Sequence, residues 1–482
     1  MRIALLYPPP WKLPADGQQF DLVDGPPPDY VPGDLDGDFY QTPYGLYTIG
    51  AQAVRAGHQV KVINLSNYAW DEVVEVIEKL DAELFGLSCW TANRRGVALV
   101  ADRIRHAHPD AHVVVGGPHA SPLAREMLEH HPAIDTVTQG ESELTFLELV
   151  ARLEAGELMT GLAGAMYRVG ERIEEGPRRA PIEDLDTLAS PHDYFETHIL
   201  MTSRGCPWTC SFCGAESQWG RGFRAHSVGY VLNDLEKIVK RLPVKMVMIK
   251  DDTFTTNRKR VIELCRGIRE RGLKFTWSCD TRVDLLGDEL LREMRLAGCE
   301  RLSLGVESGA PDILKQVDKK ITTDDIVAST ELAKKYGIAV RYFMMLGNRG
   351  ETQKTFQQTL DFLQQAKPHE YIFSCLSIYP GTRDFYDAEA AGWLDRKVFF
   401  SGNFQELKTP FDASDDLVQT MNGWFADHCG LQRVYSPTVA DRRATLALLP
   451  DHAAAHLDLG AALFSEGAWL EAEAPFRRAL EL

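Results

Sequence analysis

Two successive alternations of strand-like and helix-like segments constrain the fold of this chain more than any other feature. Short β-rich segments alternate with segments of helical period over residues 1–150, and the alternation resumes over residues 198–395. Such a pattern predicts parallel sheets, because each helix returns the chain to the edge where the next strand begins. The first series therefore predicts a doubly wound α/β domain, and the second predicts a partial (β/α)6 barrel.

The two series give specific expectations for each element. The predicted strands are residues 3–7, 60–65, 84–89, 112–115 and 136–138 in the first series, and 198–203, 245–250, 274–279, 301–306, 339–346 and 371–378 in the second. The predicted helices are residues 45–56, 70–80, 94–106, 123–131, 228–241, 258–271, 288–297, 323–336 and 352–365.

Four segments lack this alternation. Residues 8–43 are rich in proline and predict a long loop. Residues 151–197 are charged and interrupted by proline, which predicts a linker. Residues 396–446 show no clear period and predict a C-terminal cap of unassigned structure, whereas residues 447–482 predict a short all-α pair of helices.

The terminal helix pair matches the tetratricopeptide pattern at its packing positions. Gly460 and Ala472 occupy positions of small residues, and Phe476 occupies a position of a large one. A plain amphipathic helix pair is the alternative interpretation. Because one such repeat cannot bury its own hydrophobic face, we expect the pair either to dock on the body of the protein or to continue into further repeats.

Composition limits the partners and the compartment. The chain has 52 Lys and Arg against 69 Asp and Glu, a net charge of −17, which argues against nucleic acid as a partner. No segment approaches the ~18 consecutive apolar residues of a membrane-spanning helix, and the N-terminus lacks the apolar core of a signal peptide. Nine cysteines in 482 residues are too few for a disulfide scaffold. We therefore expect a cytoplasmic protein without a membrane span.

Three of these cysteines, Cys206, Cys210 and Cys213, fall within eight consecutive residues. Thiolates spaced four and three residues apart fit one loop around an iron–sulfur cluster. The next cysteine, Cys265, lies in a predicted helix, so a four-iron cluster held by three thiolates would keep one iron open, as catalytic sites do. Structural zinc is the alternative, but it requires four ligands and the sequence offers no second cysteine pair. The motif follows the first strand of the barrel series, at the strand end where barrel active sites form.

The cysteine motif, with Phe212 before its last cysteine, resembles the signature of the radical S-adenosylmethionine (SAM) superfamily. Further segments agree in order over residues 198–395. These segments are 251–254 after the second strand, 305–309 after the fourth, Arg341 in the fifth, and 379–382 after the sixth. The resemblance implies that a cluster on the three cysteines reduces SAM to a 5′-deoxyadenosyl radical, which abstracts hydrogen from an unactivated position.

The resemblance also implies the residues that contact SAM. They are Phe212, Asp252, Glu307, Ser308, Arg341, Tyr379 and Pro380. The chain departs from the family after the second strand, where many members carry Gly-Gly-Glu and this chain has Lys250, Asp251 and Asp252. Asp252 is the expected acceptor for the methionyl amine. Asp251 is either a second such acceptor or a plain carboxylate at the end of a strand.

A doubly wound domain ahead of such a barrel resembles the cobalamin-binding class of the same superfamily, with a Rossmann-like domain over residues 1–150. The features shared with that class lie at 43–46, 116–119 and 140–141. Open parallel sheets bind ligands at the C-terminal ends of their strands. The resemblance therefore implies cobalamin contacts from Ser88, Trp90, Gly116, Gly117, His119 and Glu141.

Two histidines, His112 and His119, are candidates for a contact with the corrinoid. Corrinoid domains of the methionine-synthase type ligate cobalt through a histidine in a loop after the first strand, where this chain has prolines and Trp11. His112 has a partly similar context, but it begins a strand, so we expect a surface histidine rather than a cobalt ligand. His119 is the better candidate for a cobalamin contact, with a loop histidine of no ligand role as the alternative.

The resemblance implies methylation of an inert carbon or phosphorus centre, with methylcobalamin as donor and a second SAM to recharge it. An oxidative cyclisation or a ring rearrangement would use the same cofactors. A sensor or scaffold that binds partners through the terminal helices is the alternative of another class. The expected partners are a small or carrier-borne substrate, a flavodoxin- or ferredoxin-like electron donor, and a protein bound by the C-terminal repeat. The sequence assigns no catalytic acid or base.

Overall fold

A computed structural model describes residues 1–9, 42–242, 246–400, 414–428 and 430–482. These residues form two compact units. The first unit comprises the described part of 1–195 together with 211–224 and 377–400, and the second comprises 196–210 and the described parts of 225–376 and 414–482. The predicted loop at 8–43 lies almost entirely outside the described residues, as do Trp11 and the first residue of the predicted strand 245–250.

The strands and helices follow the chain in near-regular alternation. The strands are β1 (Arg2–Tyr7), β2 (Gln59–Asn64), β3 (Leu84–Ser88), β4 (His112–Gly116), β5 (Thr136–Thr138), β6 (Ala165–Val169), β7 (Arg172–Glu175), β8 (Ile199–Leu200), β9 (Ser203–Arg204), β10 (Arg224–Ala225), β11 (Met246–Ile249), β12 (Thr276–Thr281), β13 (Cys299–Glu307), β14 (Ala339–Leu346), β15 (Glu370–Cys375) and β16 (Gln432–Arg433). The α-helices are α1 (Tyr44–Arg55), α2 (Trp70–Lys79), α3 (Arg94–Ala107), α4 (Ala124–His130), α5 (Glu143–Ala155), α6 (Ala215–Trp219), α7 (Val228–Arg241), α8 (Arg258–Glu270), α9 (Asp288–Leu296), α10 (Pro311–Gln316), α11 (Thr323–Lys335), α12 (Gln353–Ala366), α13 (Arg383–Ala390), α14 (Asp415–His428), α15 (Val439–Leu448), α16 (Ala453–Ser465) and α17 (Trp469–Glu481).

The sheet of the first unit has the strand order β2-β1-β3-β4-β5-β6-β7. Its first five strands run parallel, which confirms the predicted doubly wound domain. The central strands β1, β3 and β4 are nearly continuous apolar runs, as expected where helices cover both faces of a sheet, and Ile3 to Tyr7 are almost fully buried. The strand order reverses between β1 and β3. The C-terminal ends of these strands are therefore the expected ligand site.

The segment predicted as a linker contains two strands of this sheet. β6 pairs antiparallel with β5, and β7 pairs antiparallel with β6 at the sheet edge. The charged residues of β7 made it resemble a loop, but charge is common on edge strands because it discourages pairing with other chains. Arg168 on β6 donates to the backbone oxygen of Ile134 at 3.2 Å, which fastens the hairpin to the parallel part of the sheet.

The sheet of the second unit confirms the predicted (β/α)6 barrel. Its order is β16-β15-β14-β13-β12-β11-β8, and the six strands other than β16 run parallel. Alternate residues of each strand pack against the surrounding helices. On β14 these are Val340, Tyr342, Met344 and Leu346, which all belong to the main hydrophobic core. The residues between them face the inside of the barrel, since side chains alternate across a strand.

The C-terminal residues pack on this same unit. Trp424 of α14 contacts Phe356 and Phe373 with ring centroids 5.7 and 4.9 Å apart. The helices α16 and α17 approach closely, because a Cβ at Gly460 would lie 2.7 Å from the ring of Phe476. Ala455 of α16 joins the barrel core. The predicted docking of the terminal helix pair is therefore observed, and its assignment as a tetratricopeptide repeat stays a prediction.

Among the helices of the described residues, none is both long enough and apolar enough to span a bilayer.

Candidate functional site

The cysteine loop follows β8 and β9. Cys206 and Cys210 are half-buried, Cys213 is exposed, and none of the three forms a disulfide bond. In the described part of the chain, no three His, Cys, Asp or Glu side chains converge in a metal-binding geometry. The donor set nevertheless suits iron and sulfide, since free thiols are the ligands that such clusters take.

Two aspartates after β11 hold the start of this loop. Asp251 is buried and accepts hydrogen bonds from Thr202 N at 2.5 Å, Thr202 Oγ1 at 2.6 Å and Ser203 Oγ at 2.5 Å. Burial raises the pKa of Asp251, although these hydrogen bonds lower it. Asp252 accepts from Gly205 N at 2.9 Å, next to the first cysteine. Of the two interpretations of Asp251, the structure favours an anchoring carboxylate at a strand end.

A buried cation lies beside the second cysteine. Nη1 of Arg282 is 3.9 Å from Sγ of Cys210, and the guanidinium carbon is 4.6 Å from the centroid of the Trp208 ring. Arg282 is held in place by Asp284 at 3.0 Å and by the backbone oxygen of Lys319 at 2.8 Å. A fixed guanidinium stabilises negative charge on sulfur, so this neighbourhood fits an anionic cluster.

Lys319 adds a second cation to this neighbourhood. Its Nζ lies 2.7 Å from Oε1 of Glu307, and both side chains are buried. Burial lowers the pKa of Lys319, but Glu307 and Cys210 outweigh that effect, so the pKa is raised and the ammonium persists. Burial raises the pKa of Cys210, whereas Lys319 and Arg282 act in the opposite direction. Sequence reasoning missed Arg282 and Lys319. Arg282 could have been predicted, because it directly follows β12 and active-site residues of barrels lie at the C-terminal ends of the strands. Lys319 has no such position in the sequence.

Glu307 is the last residue of β13 and Ser308 directly follows it, at the strand end where SAM contacts are predicted. Glu307 has a φ of 69°, a left-handed conformation that is strained for a residue with a side chain. Ser308 is fully buried, and its hydroxyl is 3.0 Å from Thr359 Oγ1 while it accepts from Ala310 N at 3.1 Å. Ser308 therefore supports the turn, and its contact with SAM stays a prediction.

Phe212, Tyr379 and Pro380 belong to two segments of the first unit that the structure brings together. Ser211 Oγ donates to Asp384 at 3.2 Å, and a Cβ at Gly381 would lie 3.0 Å from Ser217. The Tyr379 ring is exposed and Pro380 is buried. Stacking of Tyr379 on the adenine of SAM stays a prediction.

Arg341 does not lie at the C-terminal end of its strand, where the SAM contacts of the barrel are predicted. It is the third residue of β14, and it donates to Oε2 of Glu370, the first residue of β15, at 2.7 and 3.0 Å. The predicted contact of Arg341 with SAM receives no support from this position.

In the first unit, the predicted cobalamin contacts lie at the C-terminal ends of β3 and β4 or in the loops that follow β3, β4 and β5. Ser88 is half-buried and Trp90 is 43% exposed. His119 is buried, its Nδ1 is 3.0 Å from Thr91 Oγ1, and within the described residues its Nε2 has no hydrogen-bond partner. A buried imidazole nitrogen without a partner and an exposed indole at one sheet edge fit a large polar cofactor such as cobalamin.

Glycines 116 and 117 serve the packing of the protein itself. A Cβ at Gly117 would lie 2.6 Å from the backbone oxygen of Cys89, and one at Gly116 would lie 2.5 Å from Thr138 Oγ1. Glu141 contacts Arg224 and accepts from Ile182 N at 2.9 Å. Cobalamin contacts from these three residues stay predictions.

His112 begins β4, at the strand end opposite the predicted ligand site. Its Nε2 is 2.9 Å from Thr136 Oγ1 and its side chain is only 15% exposed. Burial lowers the pKa of His112. The position agrees with the expectation of no cobalt contact, but the residue is more buried than a surface histidine.

Comparison with known proteins gives the classification. Residues 200–363 match the radical SAM superfamily, and residues 37–150 match the B12 binding domain. The uncharacterized methyltransferase PH0819 of Pyrococcus horikoshii is 30% identical over 354 residues, which cover 71% of this chain and 77% of that protein. The anaerobic magnesium-protoporphyrin IX monomethyl ester cyclase of Rubrivivax gelatinosus is 30% identical over 316 residues, which cover 62% of this chain and 57% of the cyclase.

A solved structure agrees with the fold. The radical SAM methyltransferase TsrM from Kitasatospora setae, with tryptophan substrate and a SAM analogue bound, has a TM-score of 0.64 at 18% identity, over 81% of this chain and 76% of that one. The order of the two matched domains, and the coverage of the Pyrococcus relative, decide the classification. The chain belongs to the radical SAM superfamily, as an enzyme that joins a B12 binding domain to a radical SAM domain and uses cobalamin, a [4Fe–4S] cluster and SAM.

Proposed function

We propose that this enzyme methylates an unactivated carbon or phosphorus centre. The observation that carries the proposal is a loop of three cysteines without disulfide bonds at the C-terminal end of a six-stranded parallel barrel, in a chain that also has a B12 binding domain. The relative from Pyrococcus is named as a methyltransferase. The cofactors supply the reductive cleavage of SAM and the transferable methyl group, which protein side chains cannot provide.

The residues of the chain would bind and orient these cofactors. Cys206, Cys210 and Cys213 are the proposed cluster ligands. Asp251 and Asp252 fix the backbone at the start of the ligand loop, as their hydrogen bonds to residues 202–205 show. A precise ligand loop matters because the open iron must meet the methionyl group of SAM in one orientation.

Oxidative cyclisation is the second candidate, because the relative from Rubrivivax is a cyclase. The chain spans 57% of the length of that protein. The two reactions differ in their products. Methylation releases S-adenosylhomocysteine together with 5′-deoxyadenosine and methionine, whereas cyclisation releases 5′-deoxyadenosine and methionine without S-adenosylhomocysteine.

The first experiment is substrate-independent. Anaerobically reconstituted protein is incubated with SAM and a strong reductant, and 5′-deoxyadenosine is measured by mass spectrometry. The wild type and Cys265→Ala should form it, and Cys210→Ala should not, because Cys265 lies in the core of the barrel away from the loop. Equal formation by Cys210→Ala would refute the cluster assignment. Product analysis with trial substrates then separates methylation from cyclisation.

We infer a cytoplasmic location from the cysteine thiols outside disulfide bonds, which persist in a reducing compartment.

The proposed partners are a flavodoxin- or ferredoxin-like electron donor and a small or carrier-borne substrate. Five large apolar side chains of α16, α17 and the adjoining residues are more than half exposed, which supports a protein partner there. They are Leu457, Phe464, Trp469, Leu470 and Leu480. A sensor or scaffold role is the alternative of another class, and it would predict that the wild type forms no 5′-deoxyadenosine from SAM.

A further inference from the structure

A polar row crosses the inner face of the barrel. Strand register places Asp280 opposite Ser303, Ser303 opposite Arg341, and Arg341 opposite Glu370. Lys250, directly after β11, continues the row because its Nζ lies 3.1 Å from Asp280 Oδ2. The adjacent residues of these strands pack in the helix-covered core, so this row faces the inside of the barrel.

The row has more positive than negative charge. Glu370 is approached by Arg341 at 2.7 Å, by Arg433 at 3.7 Å and by Arg301 at 3.9 Å. Lys250 neutralises Asp280, so three guanidinium groups share the remaining carboxylate. Burial is the main cause that lowers the pKa of Arg301, and the positive charge of Arg341 lowers it further. The carboxylates of Glu370 and Asp280 act in the opposite direction. The surroundings of Glu370 therefore carry more positive than negative charge and are suited to a further anion.

Arg301 is the least satisfied of these cations. Its side chain is 25% exposed, and among the described residues its contact with Glu370 is an ion pair too long for a hydrogen bond. Its Nε is buried without a partner. A guanidinium has five donors, and buried donors without acceptors are costly. In register with Arg301 lie two small residues, Ser278 and Ala339.

We propose that Arg301, assisted by Arg341, binds an oxyanion of the substrate, either a carboxylate or a phosphate group. The assignment of this anion to the substrate rests on the function proposed above. Arg301 is suited to the role because its planar fork of donors matches two oxygens of a carboxylate or phosphate. Glu370 holds Arg341 in place and competes with the incoming anion for the guanidinium groups.

The test measures anion binding by calorimetry on the full chain, with pyrophosphate and citrate as separate probes for the phosphate and carboxylate sources. Arg301→Gln should weaken binding of the preferred probe by about tenfold or more, as expected for a hydrogen bond to a charged group. Arg258→Gln is the matched control, since Arg258 is an exposed arginine that pairs with Glu289. Equal binding by the wild type and Arg301→Gln would overturn the proposal.

A second variant covers the case in which Arg301→Gln fails to fold, as judged by circular dichroism. Glu370→Gln removes the competing carboxylate and should bind the probe more tightly than the wild type. Unchanged or weaker binding by a folded Glu370→Gln protein would contradict the proposal.

Competition with SAM shows whether the anion site binds the substrate or the cofactor. Saturating SAM should leave probe binding unchanged. Displacement of the probe by SAM would assign the anion site to the cofactor and overturn its assignment to the substrate. The proposed function fails separately, through absence of 5′-deoxyadenosine from the wild-type reaction, while probe binding is measured on the cluster-loaded protein without reductant or turnover.

Discussion

Nη1 of Arg282 lies 3.9 Å from Sγ of Cys210, with the guanidinium fixed by Asp284 and by the backbone oxygen of Lys319. A rigid positive charge beside a cluster ligand favours the reduced, more negative cluster, because hydrogen bonds to the sulfurs and local charge set the reduction potential. We therefore expect Arg282→Gln to lower the midpoint potential of the cluster. A potentiometric titration followed by electron paramagnetic resonance measures the shift.

Arg282→Lys serves as the conservative variant and should restore part of the potential. Arg258→Gln, which changes an exposed arginine on α8, should leave it unchanged. An unaltered potential in Arg282→Gln, at normal iron content, would show that this guanidinium does not act on the cluster.

Replacement of any one of Cys206, Cys210 and Cys213 by alanine should remove the cluster. Two thiolates cannot hold a four-iron cluster and still present one open iron. Iron and sulfide analysis together with the visible spectrum measures the loss. Cys265→Ala should retain a normal iron content, although a buried thiol is lost from the core. Normal iron and sulfide content in any of the three variants would contradict the ligand assignment.

Glu351 should make the stability of the barrel depend on pH. Burial raises the pKa of Glu351 to about 7, although hydrogen bonds from the backbone of Asn348 and Gly347 lower it. A group with a raised pKa in the folded state stabilises that state at low pH, and this contribution is lost as pH rises from about 4.5 to about 7. Protonation of Glu351 should thus favour folding by up to about 3 kcal/mol.

Glu351→Gln is the diagnostic variant, because its side-chain oxygen can still accept both backbone hydrogen bonds. We expect it to melt at a higher temperature than the wild type near pH 8, and at the same temperature near pH 5. Calorimetry at the two pH values measures the difference. An equal difference at both values would mean that ionisation of Glu351 plays no part.

Asp458 should connect the terminal helices to the barrel. Its Oδ2 lies 2.9 Å from Arg295, a fully buried arginine, and 2.9 Å from Arg442. Asp458→Asn leaves buried positive charge less compensated, so we expect a loss of about 1–3 kcal/mol in the free energy of unfolding. Denaturant unfolding followed by fluorescence measures it.

Glu471→Gln is the control for this pair. It removes an exposed partner of Arg443 at 2.8 Å, and such surface pairs contribute little. Truncation of residues 447–482 should also destabilise the barrel, since Leu449 and Ala455 belong to its core. A truncated protein as stable as the full chain would refute a stabilising role of the terminal helices.

His112→Ala should leave the corrinoid spectrum unchanged. His112 lies at the start of β4, whereas ligands bind at the opposite ends of the strands. Absorption spectra and the nitrogen hyperfine coupling of cobalt(II) are the measurements. A histidine coupling that disappears in this variant would refute the prediction.

The sequence by itself determined the order of the elements and the cysteine loop. Helical and strand periods are local, so the predicted strand 339–346 coincides with β14 and the predicted helix 228–241 coincides with α7. The cluster motif was equally readable, because its three thiols lie within one short loop.

The tertiary structure alone decided what these elements place together. Ser303, Arg341 and Glu370 form one row only because strand register aligns residues about 30 to 40 positions apart in the chain. In the same way, Arg282 meets Cys210, and Asp251 anchors the ligand loop from a strand end, which favours that role over a second acceptor for the methionyl amine. A local pattern carries no information about pairing between distant strands, since that pairing is selected by the packing of the whole barrel.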